Sequence, residues 1–133
     1  MNADERRFLT ERILAAVFEV SNTLGAGFLE KVYERALLKE LSLRGLQAQS
    51  QVPVEISYKG ILAGRYFADM VVEDEVVLEL KCVEAFTSDH MAQCLNYLRA
   101  SGKPLALLIN FQHPKVQLRR VIHEHPRSSA AQA

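Results

Sequence analysis

Residues 64–81 read GRYFADMVVEDEVVLELK, and the way this stretch pairs with itself decides the fold. Two apolar-rich runs, 61–72 and 76–83, flank the acidic triplet Glu73, Asp74 and Glu75. That pattern predicts two strands joined by a tight turn. Three charged residues stand inside the runs: Asp69, Glu79 and Lys81. Side chains alternate across a strand. Val77, Glu79, Lys81 and Val83 therefore share one face, and Val76, Leu78, Leu80 and Cys82 the other. Two registers are available. A three-residue loop pairs Val72 with Val76 and sets Asp69 opposite Glu79. A two-residue loop sets Asp69 opposite Leu80, on the other face.

In the first register two carboxylates face each other and repel. Lys81 shares their face but does not neutralise both. A divalent cation would, and Mg²⁺ takes one or two protein carboxylates while keeping waters and substrate phosphate for the rest. A lysine beside such an ion suits a phosphate or an attacking water. The bland alternative is a solvated Glu-x-Lys ion pair on a strand face, which fits the tripeptide ELK taken alone.

Working outward, residues 4–24 carry Leu9, Ile13, Val17, Val20 and Leu24 at helical spacing. The GAG at 25–27 breaks that helix. A second helix is predicted over 28–43, with Leu29, Val32, Tyr33, Ala36, Leu37 and Leu41 inward and Gly45 as its end signal. Then the period changes to two. Strands are predicted over 48–58, 61–72 and 76–83, with a Lys59-Gly60 turn and Pro53 marking an edge or a bulge. A helix capped by Thr87 or Ser88 runs to Gly102. PLALLINF, 104–111, is a strand covered on both faces, and 116–123 is one more strand. The order α-α-β-β-β-α-β-β predicts an α+β architecture, a mixed sheet with helices packed on it.

The 133 residues fit one domain, expected over 1–125, with 126–133 a disordered tail. Sixteen basic and sixteen acidic side chains give zero net charge, which argues against a non-specific nucleic-acid coater. No apolar run spans a bilayer, and the charged N-terminus lacks a signal-peptide core. A cytoplasmic protein with two reduced thiols, Cys82 and Cys94, is expected. Cys82 is assigned to the core, and Cys94 has no base beside it. His123, Glu124 and His125 form an HxH group beside the tail, read as coincidence because zinc needs more ligands in a shaped pocket. Lys115, Arg119 and Arg120 form a small basic group, equally consistent with a phosphate contact and with a solvated strand face.

GFLEKVY, 27–33, matches the GxxExxY signature of a family of small bacterial proteins, and with the D…ExK order the chain resembles that family across roughly 8–123. The family is placed in the PD-(D/E)XK nuclease-like superfamily. The resemblance implies a restriction-endonuclease-like mixed β-sheet flanked by helices, with core α-β-β-β-α-β and an extra N-terminal helix. It implies that Asp69, Glu79 and the Leu80 backbone carbonyl hold Mg²⁺ or Mn²⁺, that Glu30 completes the acidic cluster, and that Lys81 orients or polarises the attacking water. A helix-dipole role for Glu30 is an equal alternative. QCLNY, 93–97, resembles the QxxxY motif of the RecB-like branch, which implies that Gln93 and Tyr97 position water or substrate; surface and packing roles are the alternative. Ala68 replaces the proline of the superfamily's name.

The leading expectation is a metal-dependent nuclease acting on DNA ahead of RNA. The alternative is a silent nuclease-fold module that binds a protein partner or nucleic acid. A hydrolase of small phosphate esters is a third. A homodimer fits so small a nuclease, and no interface motif identifies one.

Overall fold

The computed structural model describes residues 1–123. Helix α1, Ala3–Leu24, opens on a capping box in which Asn2 and Glu5 exchange hydrogen bonds, and closes at Gly25 with φ 73°. Its stripe of Leu9, Ile13, Val17 and Val20 is buried. Helix α2, Glu30–Leu43, starts two residues later than predicted, because Leu29 has an extended backbone and caps it without a side-chain hydrogen bond. This corrects the inward face as well. Tyr33, Leu37 and Leu41 are buried, whereas Leu29 and Val32 are exposed. Leu29 precedes the helix, and Val32 lies about 100° round it from Tyr33. Gly45 ends α2, with the Leu46 N–H donating back to the Leu41 carbonyl.

Five strands follow as one sheet in the order β1-β2-β3-β4-β5. They are β1 (Ala48–Tyr58), β2 (Ile61–Val72), β3 (Val76–Lys81), β4 (Leu105–Asn110) and β5 (Gln117–Ile122). Helix α3, Ser88–Ser101, crosses between β3 and β4, which are parallel; every other neighbouring pair is antiparallel. Pro53 lies on the edge strand β1. All six residues of β4 are buried, as an apolar run in a central strand requires. Strand β3 stops at Lys81, two residues short of the expected end. There the Asn110 side chain takes over the Val83 N–H and carbonyl, at 3.1 and 2.7 Å, in place of a strand partner.

The sheet divides the core in two. Helices α1 and α2 cover Met70, Val72, Val76, Leu78, Leu80, Leu107 and Ile109. Helix α3 covers Ala68, Val71, Val77, Ala106 and Leu108 with Cys94, Tyr97 and Leu98. The result is the mixed, helix-flanked α+β sheet that the resemblance implies. No helix of the described residues is long and apolar enough to cross a membrane. Glu124, His125 and the tail 126–133 lie outside the described residues.

Candidate active site at a fork in the sheet

The hairpin loop has three residues. Glu73 and Asp74 adopt left-handed backbone, φ 53° and 56°, and Val72 pairs with Val76. Counting back three residues on each strand brings Asp69 opposite Glu79. The β2–β3 ladder runs only from Val72 to Met70, however, and then the strands part. At the fork, side chains replace the missing backbone bonds. The Leu80 N–H donates to Asp69 Oδ2 at 2.7 Å, and the Asp69 N–H donates to Glu79 Oε1 at 3.3 Å. Each carboxylate thus satisfies an amide that the fork would otherwise strand. A residue's N–H and carbonyl leave a strand on the same side, so the Leu80 carbonyl also faces the fork.

Strand β2 reverses its faces at Asp69. Ala68 and Val71 lie in the α3-side core, and Met70 and Val72 in the other. Regular alternation would keep Ala68 and Met70 together. Across the β1–β2 ladder, Gln51 is skipped and adopts φ 53°, a rare value for a non-glycine residue in a strand. The kink gives each carboxylate its own opening. Asp69 lines a cleft of about 680 Å³ on the α2 side, with Glu30, Lys31, Glu34, Gln51 and Gln112. Glu79 lines one of about 310 Å³ on the α3 side, with Tyr66, Phe67, Gln93 and Tyr97.

Burial pushes the Glu79 carboxyl up to about 8, and the Asp69 charge pushes the same way. The Asp69 amide and the Lys81 ammonium oppose this without overcoming it. Without a metal ion beside it, the Glu79 carboxyl is therefore held toward its protonated form. Two hard carboxyl groups, one of them easier to ionise when a positive charge compensates it, and a carbonyl facing the same fork suit a hard divalent ion. Among the described residues, no three His, Cys, Asp or Glu side chains form a group that could hold a metal. Glu30 therefore does not close into a triad with Asp69 and Glu79. It is the first residue of α2, exposed at the N-terminal end of the helix dipole, and its charge reaches Cys82, whose thiol is raised by burial first and by Glu30 second.

Lys81 ends β3 half-buried, on the same face as Glu79. Gln93 is exposed at the mouth of the Glu79 cleft. Tyr97 is buried, and its hydroxyl donates to the Val52 carbonyl at 3.1 Å, which fastens α3 to the edge strand. Cys94 is buried and its thiol is pushed up to about 12, chiefly by burial, so it offers no nucleophile at neutral pH. Arg119 and Arg120 are consecutive on β5 and line clefts on opposite sides of the sheet, so the basic group does not form one patch.

Two residues beside the site were not singled out in the sequence. Glu34 is buried and accepts from Lys31 Nζ at 3.2 Å and from Gln51 Nε2 at 3.1 Å. It stands four residues after Glu30, hence on the same helix face, and that spacing is a readable signal. Gln51 carries no such signal. The GFLEKVY segment also has a structural task. The Tyr33 hydroxyl donates to the Gly25 carbonyl at 2.6 Å and accepts from the Phe28 N–H at 3.3 Å, and its ring stacks on Phe111 at 4.5 Å. Gly27, at φ 106°, completes the turn that sets Glu30 at the head of α2.

A mixed sheet covered by helices on both faces, forked at an acidic pair followed by a lysine, defines a nuclease-like α+β protein. Residues 7–121 match the family model described as PD-(D/E)XK nuclease superfamily, and the chain belongs to that superfamily. No curated protein and no solved structure matched the chain.

Proposed function

We propose that this chain is a Mg²⁺- or Mn²⁺-dependent nuclease that hydrolyses nucleic-acid phosphodiester bonds, within the GxxExxY group that GFLEKVY suggests. The observation that carries the reading is the fork, where Asp69 and Glu79 oppose each other two residues from Lys81. Superfamily membership supports a nucleic-acid substrate. Asp69, Glu79 and the Leu80 carbonyl would hold the ion, with Glu30 reaching it through water from the α2-side cleft. A bound divalent ion supplies Lewis-acid polarisation of a phosphoryl oxygen and activation of water. Lys81 stabilises charge developing on the phosphoryl oxygens. Gln93 hydrogen-bonds water or phosphate at the cleft mouth. Tyr97 positions α3, because its hydroxyl is committed to Val52.

Cleavage of labelled nucleic acids with Mg²⁺ or Mn²⁺ tests this. Lys81→Ala is expected to lower turnover roughly 10²- to 10³-fold with the fold intact. Asp69→Ala is expected to abolish metal-dependent turnover. Wild-type rates in either variant would refute the assignment. A second reading, a nuclease-fold module that binds without cutting, draws on the lack of a three-ligand group among the described residues. Metal binding without turnover on any substrate would favour it.

A further inference from the structure

Asp69 lies at a rung where the sheet is unlaced on both sides. Toward β3 the pairing ends at Met70. Toward β1 it passes from Ser50 with Met70 to Val52 with Ala68 and skips Gln51, the residue opposite Asp69. Both strands turn over at this rung. In β2, Ala68 and Met70 belong to different cores. In β1, Ala48 packs against the core under α1 and α2, while Val52 and Val54 pack against the core under α3. Residues an even number apart on a regular strand share a face. Between Ala48 and Val52 the left-handed residue is Gln51, with φ 53°.

A residue with a Cβ keeps that backbone in a strand only where its surroundings enforce it. Here the enforcing contact comes from α2. Gln51 Nε2 donates to Glu34 Oε1 at 3.1 Å. Glu34 is a fixed point: it is buried, and its other oxygen accepts from Lys31 Nζ at 3.2 Å. The neighbouring Tyr33 ring, stacked on Phe111, locks α2 to the end of β4. The turnover decides where Asp69 goes. Regular alternation through this rung would set Asp69 on the face of Val71, in the core under α3, together with Glu79. Instead Asp69 opens into the α2-side cleft, which Glu34 and Gln51 also line. From there its Oδ2 accepts from the Leu80 N–H at 2.7 Å.

We infer that Glu34 and Gln51 form a brace between α2 and β1 that positions Asp69, and that they are positioning residues of the metal site; this rests on the metal-dependent hydrolase reading and adds two residues to it. Two readouts test the brace in the full chain. The first needs no metal. The Leu80 amide proton reports the bond to Asp69, and its NMR signal is expected to move upfield in Glu34→Leu and in Gln51→Leu, while that of Leu107 in β4 stays in place. The second is Mn²⁺ affinity by calorimetry, expected to fall roughly 10- to 100-fold in each of these variants. The double variant should bind no more weakly than either single one, because both remove the same contact. Glu34→Gln keeps an acceptor oxygen for Gln51 and should bind Mn²⁺ within about twofold of wild type. Tyr33→Phe keeps the ring on Phe111 and loses the hydroxyl's bonds without touching the brace. It should leave both readouts unchanged, which separates lost position from lost stability. Circular dichroism checks that the variants are folded.

Folded leucine variants with wild-type Mn²⁺ affinity and an unmoved Leu80 signal would overturn the brace. Equal losses in Tyr33→Phe would overturn it too, by tracing the effect to general stability. Turnover of bis(p-nitrophenyl) phosphate with Mn²⁺, measured in parallel, separates the two levels. If that diester is hydrolysed and Lys81→Ala abolishes the reaction, the hydrolase reading stands even when the brace fails. A wild-type chain that binds no Mn²⁺ and hydrolyses neither this diester nor any nucleic acid removes the hydrolase reading. The brace then stands or falls on the Leu80 amide alone.

Discussion

Glu79 is where burial, charge and chemistry meet. Its carboxyl is raised from an ordinary 4.5 to about 8, by burial first and by Asp69 second. The folded chain therefore binds this proton more tightly than the unfolded chain does. The resulting stability is fully present below about 4.5 and is lost as pH rises through about 8. Thermal unfolding of metal-free protein is expected to show this contribution falling across that window. Glu79→Gln removes the titration and should flatten the slope; an unchanged slope in this variant would place its origin elsewhere. A divalent ion competes with the same proton. The rise in melting temperature on adding Mg²⁺ is therefore expected to be larger at pH 8 than at pH 6 in wild type, and to vanish in Glu79→Gln. Lys81 works in the same direction as the ion but with one charge, which is why it leaves Glu79 raised.

The hairpin sets the distance between these groups, and its loop is held from three sides. Glu75 pairs with Arg6 at 3.0 Å, Asp74 with Lys103 at 2.8 Å, and Glu73 accepts from the Gln47 N–H at 2.6 Å. Each contact alone is weak, but together they favour the three-residue loop. Deleting Glu75 is expected to leave Glu73 and Asp74, both already left-handed, as a two-residue turn that still pairs Val72 with Val76 and keeps Asp69 opposite Glu79. Metal-dependent cleavage should persist with the β signal in circular dichroism, and its loss in a folded deletion variant would show that the register had slipped. At the α1–α2 turn, Tyr33→Phe keeps the stack on Phe111 and loses the hydroxyl's bonds to Gly25 and Phe28. A loss of roughly 1–2 kcal/mol is expected in urea denaturation. These elements also mark what can be read before folding. The hairpin was legible because an apolar pattern flanks an acidic turn, which left two registers between which the folded loop decides, and α3 because Thr87 and Gly102 bracket it. The start of α2 was not, because Leu29 has no side-chain acceptor to announce a cap. The end of β3 was hidden because its competitor, Asn110, lies 27 residues from Val83. Gln51 was invisible for a similar reason: its partner Glu34 is 17 residues away, and its left-handed backbone answers a kink in another strand.

At the scale of the molecule, zero net charge has to be reconciled with a nucleic-acid substrate. A duplex binder neutralises many phosphates, releases their counterions and loses affinity steeply with salt. The clefts on either side of the fork contain one lining cation, Lys31, with Lys81 beside them on β3. Binding at this site should therefore release few counterions. The slope of log affinity against log salt for a single strand is expected to be shallow, about −1 to −1.5 for one or two phosphates engaged. Anisotropy titrations over a range of KCl concentrations measure it directly. A slope steeper than about −4 would mean that a basic surface away from the fork carries the binding. The place to look would then be the cleft that Arg6, Arg7 and Arg120 line beside the first residues of β4, at the opposite end of that strand from Asn110, the partner of Lys81. Charge reversal at Arg120 would flatten such a slope and leave the shallow one untouched, so the two sources of affinity separate in a single salt series.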